Sequence, residues 1–512
     1  MHLSDHSLRQ IDDAYVRSLD AEALRELLLR LLADLKEARD RLNQGPENSS
    51  RPPSSRAPWE RQSGGRESDE DAEDGELELA PAEAKPAEAK PVEGKPVEAK
   101  PARKAGKQPG APGMGRTQVF QAHEEQPHYP DACAGCGRPL GRAGAVAYTG
   151  FQAVDLRWGD PARPGLTLWV VDHRYYESSC VCGHRTRAEA GQGVVDPLLA
   201  GIELSEWRLV GPGLAALIVA LALRFRLSRA RIREFLGEWL GVDLSIGTIH
   251  QTIHEASAAV APAEEELIQA VLDSDLLHAD ETSWPEHGNL LWLWVFTAAT
   301  VTLYYVAGRG KELVENVLAG FTGWLMSDGW VAYRDYWRRL RCWAHLIRKA
   351  RGLAQSCDRE ARAFGRLALD TLEELMAAVY AAREGPPPVD LPTQHAPLLA
   401  ALRAACERRQ GSHHQKTHAL AVELLNDWEA IFQVLSHPEL PLTNNEAERA
   451  LRHWVILRKL SLGTRTEVGS RVVALLASVI DTCRQRGHSP WRYLERAIAD
   501  RRAGQPLAAL PR

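Results

Sequence analysis

The chain has 512 residues, of which 44% are hydrophobic and 25% are charged, and its net charge is −6. This length predicts several domains at roughly 100–200 residues each, and so small a net charge neither requires nor excludes a nucleic-acid partner. The chain does not open with a charged segment and an apolar run, the pattern of a secretory signal, so we expect a cytoplasmic protein. Residues 290–308 lack charge, but their Trp, Val, Thr and Tyr content favours two strands over a membrane helix.

The first segment, residues 1–42, is predicted to be a leucine-rich helix. Its leucines recur at spacings of three, four and seven between residues 24 and 42, and charged residues occupy the other faces. An apolar stripe without an attached core pairs with a second helix in a coiled coil, so we expect a homo-oligomer formed through this helix. Docking of the helix on its own catalytic domain is the alternative.

A disordered linker is predicted over residues 43–117. Pro, Ser, Glu and Lys dominate it, and four pentapeptides of the PAEAK type run in register over residues 81–100. Such a segment buries too little apolar surface to offset the entropy lost on ordering.

A zinc-binding module is predicted over residues 118–190, because two close pairs of cysteines occur there. Cys133 and Cys136 have the spacing of a zinc knuckle, and Cys180 and Cys182 follow in a less regular pair. Four thiolates on two turns suit one structural Zn²⁺ ion. His184 is the alternative to one member of the second pair, and free buried thiols are the alternative to a metal site.

A helix-turn-helix is predicted over residues 200–262. Ser228 is suited to cap one helix, and after a turn that contains Gly, Ser245 is suited to cap the next. Paired helices of this kind bind DNA in many proteins, although helical bundles contain the same pattern. The polar residues expected to contact DNA from the second helix are Thr248, His250, Gln251 and His254.

Three acidic blocks mark the remaining half of the chain: HADETSW around Asp280, LMSDGW around Asp328 and TNNEAERALR around Glu448. Both aspartates follow apolar runs typical of strands, in a mixed α/β segment predicted over residues 270–352. Carboxylates from separate elements are what a site for two Mg²⁺ ions requires.

The third block is separated from the second by residues 353–439, whose helical pattern suggests an insertion. Asn444 or Asn445 is suited to cap a helix over residues 440–460 that carries Glu448. A basic cluster on this helix is expected to contact phosphates, and its members are Arg449, Arg452, Arg458 and Lys459.

Each of these acidic residues also has an interpretation without a metal. Taken alone, Glu448 is better explained by a surface ion pair with Arg452, and the other two acidic blocks are what favour metal binding. Glu281 is expected to face away from Asp280, because successive side chains of a strand alternate between faces. Glu446 cannot share a helix face with Glu448, because residues two positions apart on a helix point in different directions.

Cys342 and His345 supply half a metal site at most. His414 and His418 could complete it, but a packed cysteine and a hydrogen-bonded histidine are favoured.

Together these blocks closely resemble the insertion-sequence-sixty-six family of DDE transposases. HADETSW, SDGWVAY, CWAH and TNNEAERALR occur in the order and spacing of that family, and the resemblance extends to a C-terminal helical segment over residues 461–512. Two features depart from the family pattern. The second cysteine pair is Cys-x-Cys where the family usually has Cys-x-x-Cys, and the linker is unusually long.

The resemblance implies an α/β multidomain protein. Its ribonuclease-H-like catalytic domain, with a helical insertion, would be preceded by the coiled-coil helix, the zinc-binding module and the helix-turn-helix. Asp280, Asp328 and Glu448 would be the acidic triad that holds two Mg²⁺ ions. The protein would bind the terminal inverted repeats of an insertion sequence as double-stranded DNA, cut the phosphodiester at the ends and transfer the 3′-hydroxyl ends into target DNA. Accessory proteins encoded by the element are a further candidate partner.

Two other functions remain compatible with the sequence. One is a non-catalytic DNA-binding protein derived from a transposase, against which the intact triad argues. The other is a metal-dependent nuclease that hydrolyses DNA without joining it.

Overall fold

The computed structural model describes residues 11, 13–42, 48, 118–160, 162–188, 209–385 and 390–512. The predicted linker lies outside the described residues apart from Asn48, as do the first ten residues and residues 189–208. In the described ranges no helix combines the length and the apolar character needed to cross a membrane.

Two helices form the N-terminal part, α1 over Asp13–Ser18 and α2 over Ala21–Leu42. Five leucines of α2 are at least 50% exposed: Leu28, Leu29, Leu32, Leu35 and Leu42. The other leucines of the stripe are partly exposed. The last turn of α2 is anchored on the rest of the chain, because Asp40 accepts hydrogen bonds from the Ser356 hydroxyl and from the Cys357 N–H. The stripe is therefore available to a second helix, and the coiled coil stays a prediction.

The cysteine-containing segment forms a small sheet. Its strands are β1 over Glu124–His128, β2 over Val146–Asp160, β3 over Arg163–Ser179 and β4 over Arg185–Arg187. β2 and β3 make a long antiparallel hairpin, and β1 and β4 both pair with β3. Asp155 of β2 accepts a hydrogen bond from the N–H of Leu214 at 2.9 Å, which fixes the sheet to the helices that follow.

Four helices come next: α3 over Pro212–Val219, which continues as a π-helical turn over Ala220–Arg224, α4 over Arg229–Leu240, α5 over Ile246–Val260 and α6 over Ala263–Leu272. The two predicted caps are confirmed, because Ser228 accepts from the N–H of Arg231 and Ser245 from the N–H of Thr248. Gly241 ends α4 with a φ of 64°, a conformation that glycine adopts without strain.

A five-stranded sheet forms the centre of the chain. Its strands are β5 over Leu276–Glu286, β6 over Asn289–Thr297, β7 over Thr302–Ala307, β8 over Trp324–Ser327 and β9 over Arg339–Arg341, with helix α7 over Lys311–Val317 between β7 and β8. The strand order is β7-β6-β5-β8-β9. β5, β6 and β7 are antiparallel, whereas β8 and β9 run parallel to β5. The uncharged stretch is thus β6 and β7, as the sequence predicts.

The insertion after β9 is helical and has a hydrophobic core of its own. Its helices are α8 over Trp343–Ala354, α9 over Arg359–Glu384, α10 over Leu391–Gln394, α11 over Ala396–Arg409, α12 over Gln415–Asn426 and α13 over Trp428–Phe432. The chain then returns to the main core with α14 over Asn445–Ser461, α15 over Glu467–Gln485 and α16 over Pro490–Arg502.

Buried ion pairs join the insertion to the central sheet. Asp427 accepts from Arg339 and, at 2.6 Å, from Arg341, both of which belong to β9. Arg341 also donates to Glu423 at 2.6 Å, and its side chain is fully buried. Because these charges lie away from water, their pairing holds the insertion in a defined position on the sheet.

Candidate active site

The two aspartates meet at one edge of the central sheet. β5 and β8 are parallel neighbours in which His278 pairs with Met326. This is the last pair of the register, and the two aspartates lie two residues beyond it, Asp280 still on β5 and Asp328 just after β8. Each carboxylate accepts a hydrogen bond from a nearby backbone N–H, Asp280 from Glu281 at 2.9 Å and Asp328 from Trp330 at 2.8 Å.

Glu448 reaches the same edge from the first turn of α14. The helix begins at Asn445 rather than at residue 440, and Asn444 occupies the N-cap position. The expected side-chain cap is wrong for Asn444, because its side chain makes no capping bond. Asn444 instead donates to the carbonyl oxygen of Ala279 at 2.8 Å and lies 3.1 Å from Nδ1 of His278. The side-chain amide of Asn444 is therefore hydrogen-bonded to β5, the strand that carries Asp280.

A second connection between α14 and β5 lies at the C-terminal end of the helix. The guanidinium of Arg458 donates to the hydroxyls of Thr282 and Ser283 at 2.9 Å each. Burial lowers the pKa of Arg458 from its usual value. The helix with the glutamate is therefore fixed at both ends to the strand with the first aspartate.

The carboxylates repel one another across this edge. The pKa of Asp280 is held well above its usual value, first by burial and then by the charges of Asp328, Glu281 and Glu448. Burial also raises the pKa of Glu448; Asp328 raises it further, while the nearby cation of Arg348 lowers it. Bound cations would relieve this repulsion.

An arginine clamp, in which Arg309 binds Glu281 and lies between Trp292 and Trp330, holds residues next to the two aspartates. Arg309 donates to Glu281 through Nη2 at 2.9 Å, and the Tyr333 hydroxyl donates to the same carboxylate at 2.8 Å. The Arg309 guanidinium lies between the rings of Trp292 and Trp330, 4.0 and 3.7 Å from their centroids. Glu281 is thus bound by Arg309 and Tyr333, and its side chain is only 2% exposed. Burial and the charge of Asp328 raise the pKa of Glu281, and the expectation that it faces away from Asp280 stays a prediction.

The predicted basic cluster divides into two groups. Arg449, Arg452 and Lys459 are exposed, although Arg449 also lies 3.4 Å from Glu446. Arg458 is occupied in holding α14 on β5. Two cations absent from the predicted cluster, Arg334 and Lys349, line a cavity of about 450 Å³ beside Asp328. His345 also lines this cavity, but burial lowers its pKa to about 4.

The predicted DNA-contacting residues of α5 also differ in position. His250 and Gln251 are exposed, and Thr248 is partly exposed near the start of the helix. His254 is only 4% exposed and lies edge-on to the ring of His250 at 4.1 Å. The remainder of α5 is buried, so the accessible part of this helix is its N-terminal half.

The four cysteines of the predicted zinc module converge. Their Sγ atoms all lie within 4.8 Å of one another, with 3.7 Å between Cys133 and Cys182 and 3.6 Å between Cys136 and Cys180. A tetrahedron of thiolates about 2.3 Å from Zn²⁺ has edges of about 3.8 Å. The cluster could therefore hold a metal such as zinc, and His184 does not belong to it.

Cys342 and His345 lie close to Glu448, and their ligand atoms form a second set within 4.8 Å of one another. The suggested completion by His414 and His418 is wrong. His414 lies 2.9 Å from the Thr417 hydroxyl and caps α12, and His418 is hydrogen-bonded to the carbonyl oxygen of Gln410.

Comparison with known proteins identifies relatives of the chain. The model of the family described as "Transposase IS66 family" matches residues 208–472. The chain is also similar to proteins of Sinorhizobium fredii (strain NBRC 101917 / NGR234) described as uncharacterized. It is 25% identical to y4qI over 300 residues and 26% identical to y4hP over 340 residues. These matches cover 53% and 59% of this chain, and 56% and 61% of the two relatives.

Proposed function

The chain belongs to the transposase IS66 family, and from this premise we propose that it is a DDE transposase. In this proposal Asp280, Asp328 and Glu448 hold two Mg²⁺ ions, at which the ends of an insertion sequence are cut and joined to target DNA. The observation that carries the proposal is the arrangement of these acids. The first lies on the central strand and the second just after the parallel neighbour of that strand, each two residues beyond the last β5–β8 pair. The helix of the third is tied to the central strand through Asn444.

The fold of the central segment supports a ribonuclease-H-like catalytic domain. A mixed five-stranded sheet carries the first acid on its central strand and the second just after the adjacent parallel strand. Helix α14, with the third acid, packs on the central strand after the insertion.

The residues fit Mg²⁺, a hard cation that prefers carboxylate oxygens. Burial raises the pKa of both Asp280 and Glu448, and the charge of Asp328 adds to both shifts, so the site gains from bound positive charge. Oxygens of the three acids are not among the described ligand sets that lie within 4.8 Å of one another. Two ions about 3.5–4 Å apart do not demand that each acid reach both of them.

The chain's own side chains supply position and charge. Mg²⁺ ions at the three acids would polarise the scissile phosphate and lower the pKa of the attacking water or 3′-hydroxyl. The arginine clamp fixes Glu281 and Trp330, and with them the backbone beside each aspartate. Arg334 and Lys349, in the cavity beside Asp328, are suited to hold the phosphates that flank the scissile bond.

Recognition and assembly belong to the upstream segments in this proposal. The accessible half of α5 and the four-cysteine module would bind the double-stranded inverted repeats, and the exposed cations of α14 would follow the backbone. The exposed leucine stripe of α2 would join two chains and so bring two DNA ends together. Accessory proteins would act beside this assembly.

The test compares two glutamates that lie two residues apart. Glu448→Gln should abolish Mg²⁺-dependent cutting of labelled DNA ends while the affinity for those ends, measured by gel shift, stays within about twofold. Glu446→Gln is the matched control and should cut normally, because Glu446 is exposed and faces Arg449. Equal damage from the two substitutions would remove Glu448 from the proposed triad.

The same assay separates the alternatives. Wild-type protein that binds the ends but never cuts them is the non-catalytic DNA-binding protein derived from a transposase. Wild-type protein that cuts, yet gives no joined product from DNA with pre-cut ends, is a nuclease that only hydrolyses.

A further inference from the structure

A thiol, an imidazole and a carboxylate meet beside the proposed triad. Cys342 lies between β9 and α8 and is fully buried. His345 lies in the first turn of α8, and Glu448 lies in the first turn of α14. One ligand atom from each falls within 4.8 Å of the other two.

The contacts of these three groups leave coordinating atoms unused. Nε2 of His345 lies 3.9 Å from Oε1 of Glu448, which is too far for a hydrogen bond. Nδ1 of the same ring is buried without a hydrogen-bond partner. A histidine with only a packing role would be expected to form a hydrogen bond through Nδ1, so we expect the ring of His345 to have another partner.

Backbone hydrogen bonds hold the three groups in place. The N–H of Cys342 donates to Ser327 at 3.0 Å, and the N–H of Asn444 donates to Sγ of Cys342 at 3.3 Å. The next residue, Trp343, donates its N–H to Leu442 at 2.8 Å. The chain segments before α8 and α14 are thus joined directly, and this keeps the backbone that carries the three groups together.

We propose that Cys342, His345 and Glu448 form a second zinc site, distinct from the four-cysteine cluster. Sulfur, imidazole nitrogen and carboxylate oxygen are the donors of Zn²⁺, with bonds of about 2.3, 2.0 and 2.0 Å, whereas Mg²⁺ avoids sulfur. Three protein ligands leave the fourth position open to water. Entry is available through the cavity that His345 lines beside Asp328.

The site shares Glu448 with the proposed triad. A carboxylate that binds Zn²⁺ beside Cys342 is less available to the ions between the two aspartates. Zinc at this site therefore opposes DNA cutting, a consequence that rests on the proposed function.

The test counts zinc in the full chain after dialysis against Zn²⁺ and removal of loose metal. Wild-type protein should hold two equivalents, one at each site. Cys342→Ser and His345→Gln should each hold one. The matched control is Cys406→Ala, which removes a cysteine that is just as buried, within the insertion, and should keep both equivalents.

Cobalt supplies a second readout of the thiolate. The difference spectrum between Co²⁺-loaded wild type and Co²⁺-loaded Cys342→Ser should contain a sulfur-to-cobalt charge-transfer band, which the corresponding difference for Cys406→Ala lacks. If Cys342→Ser fails to fold, the zinc content of His345→Gln tests the site instead, because His345 is partly exposed. One equivalent in the wild type, or two in folded His345→Gln, would overturn the site.

Failure of the proposed function is read separately. If the wild type holds two equivalents but never cuts DNA, the zinc site stands and the transposase chemistry falls. If the wild type cuts DNA in Mg²⁺ but holds one equivalent of zinc, the transposase chemistry stands and the second zinc site is overturned.

Discussion

The side chain of Asn444 donates to the carbonyl oxygen of Ala279 across 165 residues of sequence, at 2.8 Å. Ala279 precedes Asp280, and Glu448 lies one helical turn after Asn444. This hydrogen bond therefore sets the distance between the strand of the first acid and the helix of the third.

Replacing Asn444 by alanine should weaken DNA cutting by about 10–100-fold, the usual effect of losing a group that orients metal ligands. It also leaves Ala279 and His278 without their buried partner, at a cost of about 1–3 kcal/mol. Cutting rates in Mg²⁺ and thermal melting would measure both effects. Asn445→Ala is the control, because Asn445 is exposed and should tolerate the change. Equal loss in both variants would contradict the role given to Asn444.

Gly329 follows Asp328 and lies against the buried ion pairs. A Cβ there would approach the Arg341 guanidinium to 2.6 Å and Glu423 Oε1 to 2.9 Å. Arg341 is fully buried and paired, so it cannot move aside cheaply. Gly329→Ala should therefore displace the Asp328 loop, lower stability by about 1–3 kcal/mol and reduce cutting.

The control for that change is Gly308→Ala, since no atom lies within 4 Å of a Cβ built at Gly308. Thermal melting and cutting rates would be compared for the two variants. Unchanged activity in Gly329→Ala would mean that the loop is more adaptable than its contacts suggest.

Asp427 holds two buried arginines of β9. Asp427→Asn keeps the size of the side chain but removes the charge, which leaves Arg339 and Arg341 without their shared carboxylate. The expected loss of stability is about 3–5 kcal/mol, the cost of breaking a buried pair on one side. Differential scanning calorimetry should detect it, whereas Asp370→Asn, at an exposed position of α9, should leave the melting temperature unchanged.

The buried His254 predicts a stability that falls in mild acid. Burial, helped by His250 and Arg229, lowers the pKa of His254 to about 4. An unfolded histidine titrates near 6.5, so between about pH 6.5 and pH 4 the unfolded chain binds a proton that the folded chain does not. The folded state is therefore fully favoured above that window and loses stability as the pH falls through it.

At pH 5 this linkage amounts to about 2 kcal/mol for His254. The fall in melting temperature from pH 7.5 to pH 5 should be smaller in His254→Gln than in the wild type. His413→Gln, at an exposed position, serves as the control. An unchanged pH dependence in His254→Gln would show that the ring is protonated in the folded protein.

Local signals were sufficient for much of the fold. The Ser caps of α4 and α5 accept from backbone N–H groups three residues away, and a turn that is visible in the sequence separates the apolar runs of β6 and β7. The two caps and the two strands were therefore predictable. The gathering of the four cysteines also followed from their spacing, since metal-ligand pairs leave a regular pattern.

What could not be predicted depends on contacts between distant residues. Nothing near Arg309 in the sequence indicates that it pairs with Glu281 between two indole rings, because Trp292 and Trp330 lie on different elements. Asn444 matched a helix cap by its type, yet the nearby strand offered a buried carbonyl that bound its amide instead. His254 looked accessible on an isolated helix and became buried only through the packing of α5 in the main core.

The insertion also sets the order in which the residues of the proposed cutting centre are made. Glu448 follows Asp328 by 120 positions, most of which fold around a separate hydrophobic core. At a synthesis rate of roughly 5–20 residues per second, the glutamate leaves the ribosome about 6–24 s after the second aspartate. A nascent chain therefore carries both aspartates without the glutamate, and the proposed triad is completed only after the insertion has been translated.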